Sequence, residues 1–467
     1  MYELGCGVAE ITPNVGLPLS GFIFRENKPS TSVDTPLFVR VLAMRSGGYI
    51  SLLINYDLLG LGLPLEQQLL KELESHLGVS QHQCALVATH THSAPPTVAL
   101  EGEAASDSTY WQLLGRRTVE AAQLALARLQ PVTLQEASLR LPGLTYNRRA
   151  VLADGRVSMA LEPAAPIIAR GPVDDRLVIL LWHDRRGRKV AAALHFACHG
   201  VAVCTQAIGG DVPGELSRRV GVLLGVPCLY LPGAAGDINP LTVSAGRAEM
   251  LAWVDRVMAH LPSLPSQFRP VSSDALQVTS TNLWLDYAPL PARAAVERSI
   301  ANLDRIAQGD VGSPEVQAEV RSLGNIMNFK PGELPDPGKA AYAAMALAHA
   351  GRRTLAAIAA GRPLEACPLR LSVWRFGETV LAFVAAELFA LTGLRIQALR
   401  PDLNILPVTY LAPLVGYVPD RAALSQGGYE VDDAWRFYGQ PAPFEPDTEQ
   451  RIVNTLQALI TQTTGSA

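Results

Sequence analysis

The chain is punctuated by short apolar runs that end abruptly at residues able to do chemistry, and this pattern constrains its fold most. "LFVRVLAMR" (37–45), "YISLLINYDL" (49–58), "CALVATH" (84–90), "LVILLWHD" (177–184), "KVAAALHFACHG" (189–200) and "CLYLPGAAGDINP" (228–240) are each short, apolar and bounded by turn residues, as strands are. Between them lie segments with helical spacing. "PLEQQLLKELESHLG" (64–78) carries a proline near its start and a glycine at its end, and "YWQLLGRRTVEAAQLALARLQ" (110–130) and "ELSRRVGVLLG" (215–225) are amphipathic. The first 130 residues thus read β-β-α-β-α, and the middle repeats the mode.

From about 288 to 361 the composition turns rich in Ala, Arg and Leu with helical spacing, interrupted by the loop "GNIMNFKPGELPDPGK". Strands return in "LRLSVWRFGETVLAFVAAE" (369–387), and "DTEQRIVNTLQAL" (447–459) closes as a helix. No internal repeat or low-complexity tract is present. Strands on both sides of the helical segment belong most simply to one α/β body, mixed β-sheets flanked by helices, so residues 1–467 are expected to form a single domain.

Charge is nearly balanced, 39 basic against 43 acidic residues, so no long-range field steers the chain toward nucleic acid or an anionic membrane. A small-molecule substrate fits better. No stretch reaches the roughly 18 consecutive apolar residues of a membrane span. The opening "MYELGCGVAEITPNVGLPLSG" lacks the pattern of a secretory signal, and a cytoplasmic protein is expected. Six cysteines without CxxC spacing exclude a disulfide framework and a cysteine zinc ribbon. Cys198, beside His199, is the one thiol placed for a direct role, with core filler as the plainer reading.

Nine histidines exist, and they are unevenly placed. In "ATHTHSAP", His90 and His92 would point to one side if the strand ran through them. A second pair, His195 and His199, also ends an apolar run. A catalytic zinc takes about three protein ligands and keeps an open position for water, and two strand-end histidine clusters can supply such ligands. The histidines at 76, 82, 183, 260 and 349 read as surface or structural. Glu387 sits inside the apolar "VLAFVAAELFALTG", where an unpaired carboxylate is expensive and a metal would satisfy it. Asp57 and Asp211 follow apolar runs and read either as carboxylates that orient the histidines or as helix caps. "LPGAAGDINP" is only loosely like a phosphate loop, lacking the GxxxxGK[ST] pattern, so nucleotide binding is rejected.

Taken in order, "GVAEITP", "INYDLLG", "ATHTHSAP", "YNRRA", "HFACHG", "GDVPGEL", "GAAGDINP", "AAELFALTGLRI" and "GYVPDRAALSQGGYE" resemble the catalytic domain of the neutral/alkaline ceramidases, zinc-dependent amidases, over most of the chain. The resemblance implies Zn2+ held by His90, His199, Glu387 and Tyr417, with His92, Arg148 and Tyr429 lining the reaction centre. It implies hydrolysis of a linear N-acyl amide by metal-activated water, His92 carrying the protons and Tyr429 or Arg148 stabilising the oxyanion. One departure stands out. Where the family has a serine in G-D-x-S-P, this chain reads Gly236, Asp237, Ile238, Asn239, Pro240, an amide in place of the hydroxyl, and Asn239 is expected to donate to substrate instead. The signal peptide and C-terminal immunoglobulin-like domain of secreted members are not expected either, which puts membrane-embedded ceramide itself in doubt as substrate. A metal-dependent esterase or lactonase, and a non-catalytic binding homologue, are the competing readings. Glycoside hydrolysis by paired carboxylates is a distant third, since no acidic pair stands out.

Overall fold

The strand alternation becomes two facing sheet layers. The structure, a computed structural model, describes residues 2–163, 165–272, 275–326 and 336–464. Strands β1 (Glu3–Glu10), β2 (Phe38–Ser46), β3 (Tyr49–Tyr56), β4 (Cys84–Ala88), β5 (Gln130–Arg140), β6 (Arg176–Asp184), β7 (Lys189–Phe196) and β8 (Cys228–Pro232) run in the order β8-β7-β6-β5-β1-β2-β3-β4, and a ninth, short strand (Arg269–Val271) flanks β5. The pairs β3–β4 and β7–β8 at its two ends are parallel, and the rest are antiparallel. Among the described residues the ladder between the β1 half and the β5 half holds two pairs, Glu3↔Pro131 and Leu4↔Gln130.

Alternation decides which face meets what. Leu42, Leu53, Ala85 and Val87 of one half share a core with Val178, Leu180, Trp182, Ala193 and Leu231 of the other. The opposite face of the first half, through Val41, Ala43, Leu52 and Ile54, packs on helices α1 (Leu63–Leu77) and α2 (Ser108–Ala127). Ile179, Leu181 and Leu194 of the second half pack on α3 (Asp211–Leu224) and α4 (Arg247–Met258). Helices thus flank a double layer of sheet.

A second, four-stranded sheet, β9 (Leu276–Leu285), β10 (Cys367–Phe376), β11 (Thr379–Val384) and β12 (Asn404–Val408), adds Leu371, Val373, Leu381 and Leu406 to the shared core. The segment after β12 ties the two halves of the first sheet together. Thr409 N–H donates to Pro232 O of β8, and Ala88 N–H of β4 donates to Tyr410 O.

The expected helical segment near 288–361 is present as α5 (Arg293–Ala307), α6 (Gln317–Ile326) and α7 (Pro337–Ala360), with its own apolar cluster that reaches Phe437. Most of the loop expected inside it lies outside the described residues. The helix read to 130 stops at Ala127, and Gln130 already belongs to β5. Its apolar spacing continues through Leu126 and Leu129, but Pro131 lacks an N–H and cannot extend a helix.

Trp182 is fully buried between the layers and donates Nε1–H to the Tyr2 hydroxyl at 2.9 Å. Trp182→Ala should lower stability by about 3–5 kcal/mol, read as a lower midpoint in chemical unfolding. A loss under about 1 kcal/mol would mean that the two halves do not depend on a common core.

Candidate metal centre

Strand β4 does not run through the two histidines that follow it. It ends at Ala88, and His90 takes a left-handed backbone conformation with φ of 65°. Expecting the two rings to share a side through strand alternation is therefore wrong in its cause. Convergence comes from loop hydrogen bonds instead. Thr89 N–H donates to Tyr56 O at 2.8 Å, His90 N–H to Leu58 O at 2.9 Å, and His92 N–H to Gly200 O at 3.1 Å. His199 lies in the loop after β7, its N–H on Ile238 O at 3.0 Å.

Each imidazole turns Nδ1 onto a backbone carbonyl. His90 meets Leu59 O at 2.7 Å, His92 meets Gly21 O at 3.0 Å and His199 meets Ala235 O at 2.9 Å. A carbonyl only accepts, so Nδ1 carries the proton and Nε2 is a bare lone pair in the neutral ring. These lone pairs face one another. His90 Nε2 is 2.9 Å from His199 Nε2 and 3.3 Å from His92 Nε2. Neutral rings so arranged cannot hydrogen-bond, and the three side chains form a group able to hold a metal ion.

Protonation is a poor way out of this conflict. Burial, with His90 next, holds His92 and His199 well below the ordinary imidazole pKa. Glu387 adds an oxygen: its Oε2 lies 3.3 Å from His90 Nε2, buried and without a hydrogen-bond partner, while Oε1 accepts from the Tyr438 hydroxyl. An orphaned carboxylate oxygen beside converging imidazole lone pairs is the donor set of a divalent transition metal.

Tyr417 is placed by pairing with Glu387 in a two-residue parallel ladder, Glu387↔Tyr417. Its hydroxyl accepts from Arg148 Nη2 at 3.0 Å. Burial, then the Glu387 carboxylate, push the phenol well above its ordinary value, and Arg148 opposes them. Arg148 is itself anchored by Nε on Glu430 Oε1 at 2.7 Å, and Arg149 Nη1 holds Glu430 Oε2 at 2.6 Å. Asn239 stands on the strand Ile238–Pro240, its Oδ1 3.5 Å from Arg148 Nη1. The Tyr429 ring meets that of Tyr417 edge-on at 5.9 Å.

All eight residues singled out from the sequence line one cleft, which holds about 910 Å³ of space including its open mouth. His92 falls among the converging nitrogens rather than beside them. Other expectations fail. His195 is not in the group, its Nε2 bonding Pro407 O at 2.8 Å. Asp57 binds Arg40 and the Phe38 N–H, and Asp211 accepts from the N–H groups of Ala202, Val203 and Val212, so neither orients a histidine. Backbone carbonyls do that work because the loops bring them within reach. Cys198 is buried, with its thiol pushed well up by burial, as core filler would be.

The sequence reading missed Gly21, Tyr438 and Tyr410. Gly21 has φ of 95°, and a Cβ there would stand 2.4 Å from His92 Nδ1. Tyr410 stacks on the His90 ring at 4.0 Å, and Tyr438 holds Glu387. None of these carries a spacing signal. Glu430 stood within a quoted motif, but only the fold shows that it bridges two arginines.

The geometry predicts one divalent ion per chain after equilibration with zinc, read by elemental analysis, together with a raised thermal midpoint, since binding to the folded state alone stabilises it. His199→Ala should lower the stoichiometry at least tenfold. A wild-type chain that stays metal-free would contradict the site.

No protein-family model and no curated protein matches this chain. Solved structures do. A structure described as ceramidase complexed with C2 superposes with a TM-score of 0.69 at 18% identity, covering 99% of this chain and 75% of that one. Neutral ceramidase from Pseudomonas aeruginosa gives a TM-score of 0.68, again at 18% identity and with the same coverage. At such identity the likeness speaks for architecture, and the chain has the fold of a neutral ceramidase catalytic domain.

Proposed function

We propose that the chain is a zinc-dependent hydrolase of N-acyl amides, acting as one catalytic body, with His90, His199, Glu387 and Tyr417 as the metal ligands. The observation that carries this reading is the convergence of three unprotonated Nε2 atoms on one another in a largely apolar cleft, with the orphaned Glu387 Oε2 beside His90. The solved structures that share the fold are ceramidases by name, which favours an amide over other acyl bonds. A bound divalent cation supplies Lewis acidity, lowering the pKa of water and polarising an acyl oxygen.

The chain's own residues do the rest. His92, its Nδ1–H spent on Gly21 O, presents Nε2 to the centre and takes a proton from water, then returns it to the leaving nitrogen. Arg148 and Tyr429 face the centre as donors to the negative charge that develops on the acyl oxygen. Arg148 also fixes the Tyr417 hydroxyl and the Asn239 carbonyl oxygen, and the Asn239 NH2, which meets the Tyr146 hydroxyl, has a second N–H to offer substrate. Phe22, Phe24, Leu100, Met159, Val243 and Phe437 give the acyl portion an apolar wall.

Assayed on an N-acyl amide and its matching ester, the zinc-loaded protein should cleave the amide. His92→Ala should lower kcat by about 10²–10⁴-fold while metal content stays at one per chain. Loss of metal in that variant would make His92 a ligand instead of the base. Turnover of the ester alone would shift the reading to an esterase, and stoichiometric zinc without any turnover would make the chain a binding protein.

A further inference from the structure

A carboxylate on the cleft wall plays no part in the chemistry above. Glu103 lines the cleft, partly buried, and both its oxygens are held by neutral donors. Oε1 accepts the Gly21 N–H at 2.6 Å, and Oε2 accepts the Ser20 hydroxyl. Among the described residues no cation pairs with it. Its neighbour Glu101, by contrast, is neutralised by Arg353 and His349. The buried cation nearby, Arg25, has its terminal nitrogens committed elsewhere: Nη1 to the carbonyls of Ser20 and His92, Nη2 to Ser93 Oγ and Val203 O.

Each carboxylate oxygen accepts more than one hydrogen bond, so both retain capacity. Leaving that capacity unused on an apolar wall is costly. Burial pushes the Glu103 carboxyl up to about 7, against the bonds from Ser20 and Gly21 and the nearby charge of Arg25. The location is also specific. The Gly21 N–H binds Glu103 while the Gly21 carbonyl binds His92 Nδ1, so a single residue separates this carboxylate from the reaction centre. A substrate group meeting Glu103 lies a few bonds from the scissile amide, not at the end of a long acyl chain.

Taking an N-acyl amide as the ligand of the cleft, and so resting on the reading above, we propose that Glu103 is a specificity-determining residue that selects amides bearing an O–H or N–H donor within a few bonds of the amide nitrogen. The wall beside it is aromatic, with Phe22 and Phe24 ring centroids 5.0 Å apart, and of the other lining carboxylates Glu101 is bound by Arg353 and His349 while Glu387 belongs to the centre.

Three matched probes test this: the N-dodecanoyl amides of ethanolamine, ethylenediamine and propylamine, which end in a hydroxyl, an ammonium and a methyl group. Affinity is measured by calorimetry and hydrolysis is measured separately, for wild type, Glu103→Gln and Glu103→Ala. Wild type should bind at least one donor-bearing amide about tenfold more tightly than the propylamide. Glu103→Ala should abolish that preference while leaving propylamide affinity within twofold. Glu103→Gln, which keeps an acceptor for Gly21, should retain a preference for the hydroxyl and lose any for the ammonium. Equal wild-type affinity for all three probes would overturn the proposal. So would an equal loss on all three in Glu103→Ala, which would leave Glu103 as an anchor for Gly21 alone. Cleavage of the propylamide reports on the hydrolase reading by itself: binding preference without cleavage removes that reading and keeps this one, and cleavage without preference does the reverse.

Discussion

Three imidazole lone pairs pressed together in the wall of a cleft are the constraint around which this site is arranged. Burial leaves them little access to solvent, His90 and His199 being almost wholly buried. Rotation cannot relieve them either, because each ring is pinned at Nδ1 by a carbonyl from a different loop, at Leu59, Gly21 and Ala235. Nor does net charge draw a cation in. Arg148 and Arg149 both bind Glu430, so two guanidinium groups stand close to the Glu430 and Glu387 carboxylates. What favours a cation is the direction of the lone pairs and the unpartnered Glu387 oxygen. Directional donors of this kind bind transition metals in preference to hard, oxygen-seeking ions.

Holding that arrangement explains features of the fold that packing alone does not. His90 adopts an unfavourable backbone conformation for a non-glycine residue, and so does Tyr410, whose ring stacks on it. Gly21 and Gly200 admit His92 and the His90 backbone where a Cβ would stand at 2.4 and 2.5 Å. His90, His92 and His199 hang on loops whose ends are fixed by the buried sheets. Strand β4 delivers His90, β7 delivers His199, and the segment following β11 delivers Glu387. The stretch 409–412 bonds to both β8 and β4, so the edges that carry these loops hold a fixed separation. Strain concentrated at a site and supported by a rigid frame is a mark of function.

What the sequence revealed, and what it hid, follows from the range of each signal. Strand runs and helix spacing are local, so β2, β3, β6, β7 and α1 were legible from apolar period and terminal glycines. Strand β5 was hidden because the helical pattern before it runs on to Leu129 with no polar break. Glu387 was legible since a carboxylate in an apolar run demands a partner wherever it lies. Tyr417 and Tyr429 rested on the resemblance alone, because a tyrosine is at home in any core. Tyr438 and Glu103 meet the site only through the fold, separated from Glu387 and Gly21 by 51 and 82 positions, and no local pattern encodes such meetings.

The substitution at Asn239 bears on how the bond would be broken. An amide nitrogen is no nucleophile, and the Asn239 side chain is engaged by Arg148 at its oxygen and by the Tyr146 hydroxyl. Other nucleophiles are poorly placed. The Ser93 hydroxyl is committed to Val203 O at 3.2 Å, and the Cys198 thiol is buried with its pKa raised. Ser244 lines the cleft, but the hydrogen bonds of His90, His92 and His199 do not include it, so no imidazole is poised to take its proton. Covalent catalysis needs a nucleophile within hydrogen-bond reach of its base. With that pairing missing among the described residues, the proposed hydrolysis would draw its attacking group from solvent, and His92 is the imidazole of the three left to accept its proton if His90 and His199 hold a metal. The proposed hydrolysis would thus use the same crowding of nitrogens that organises the loops.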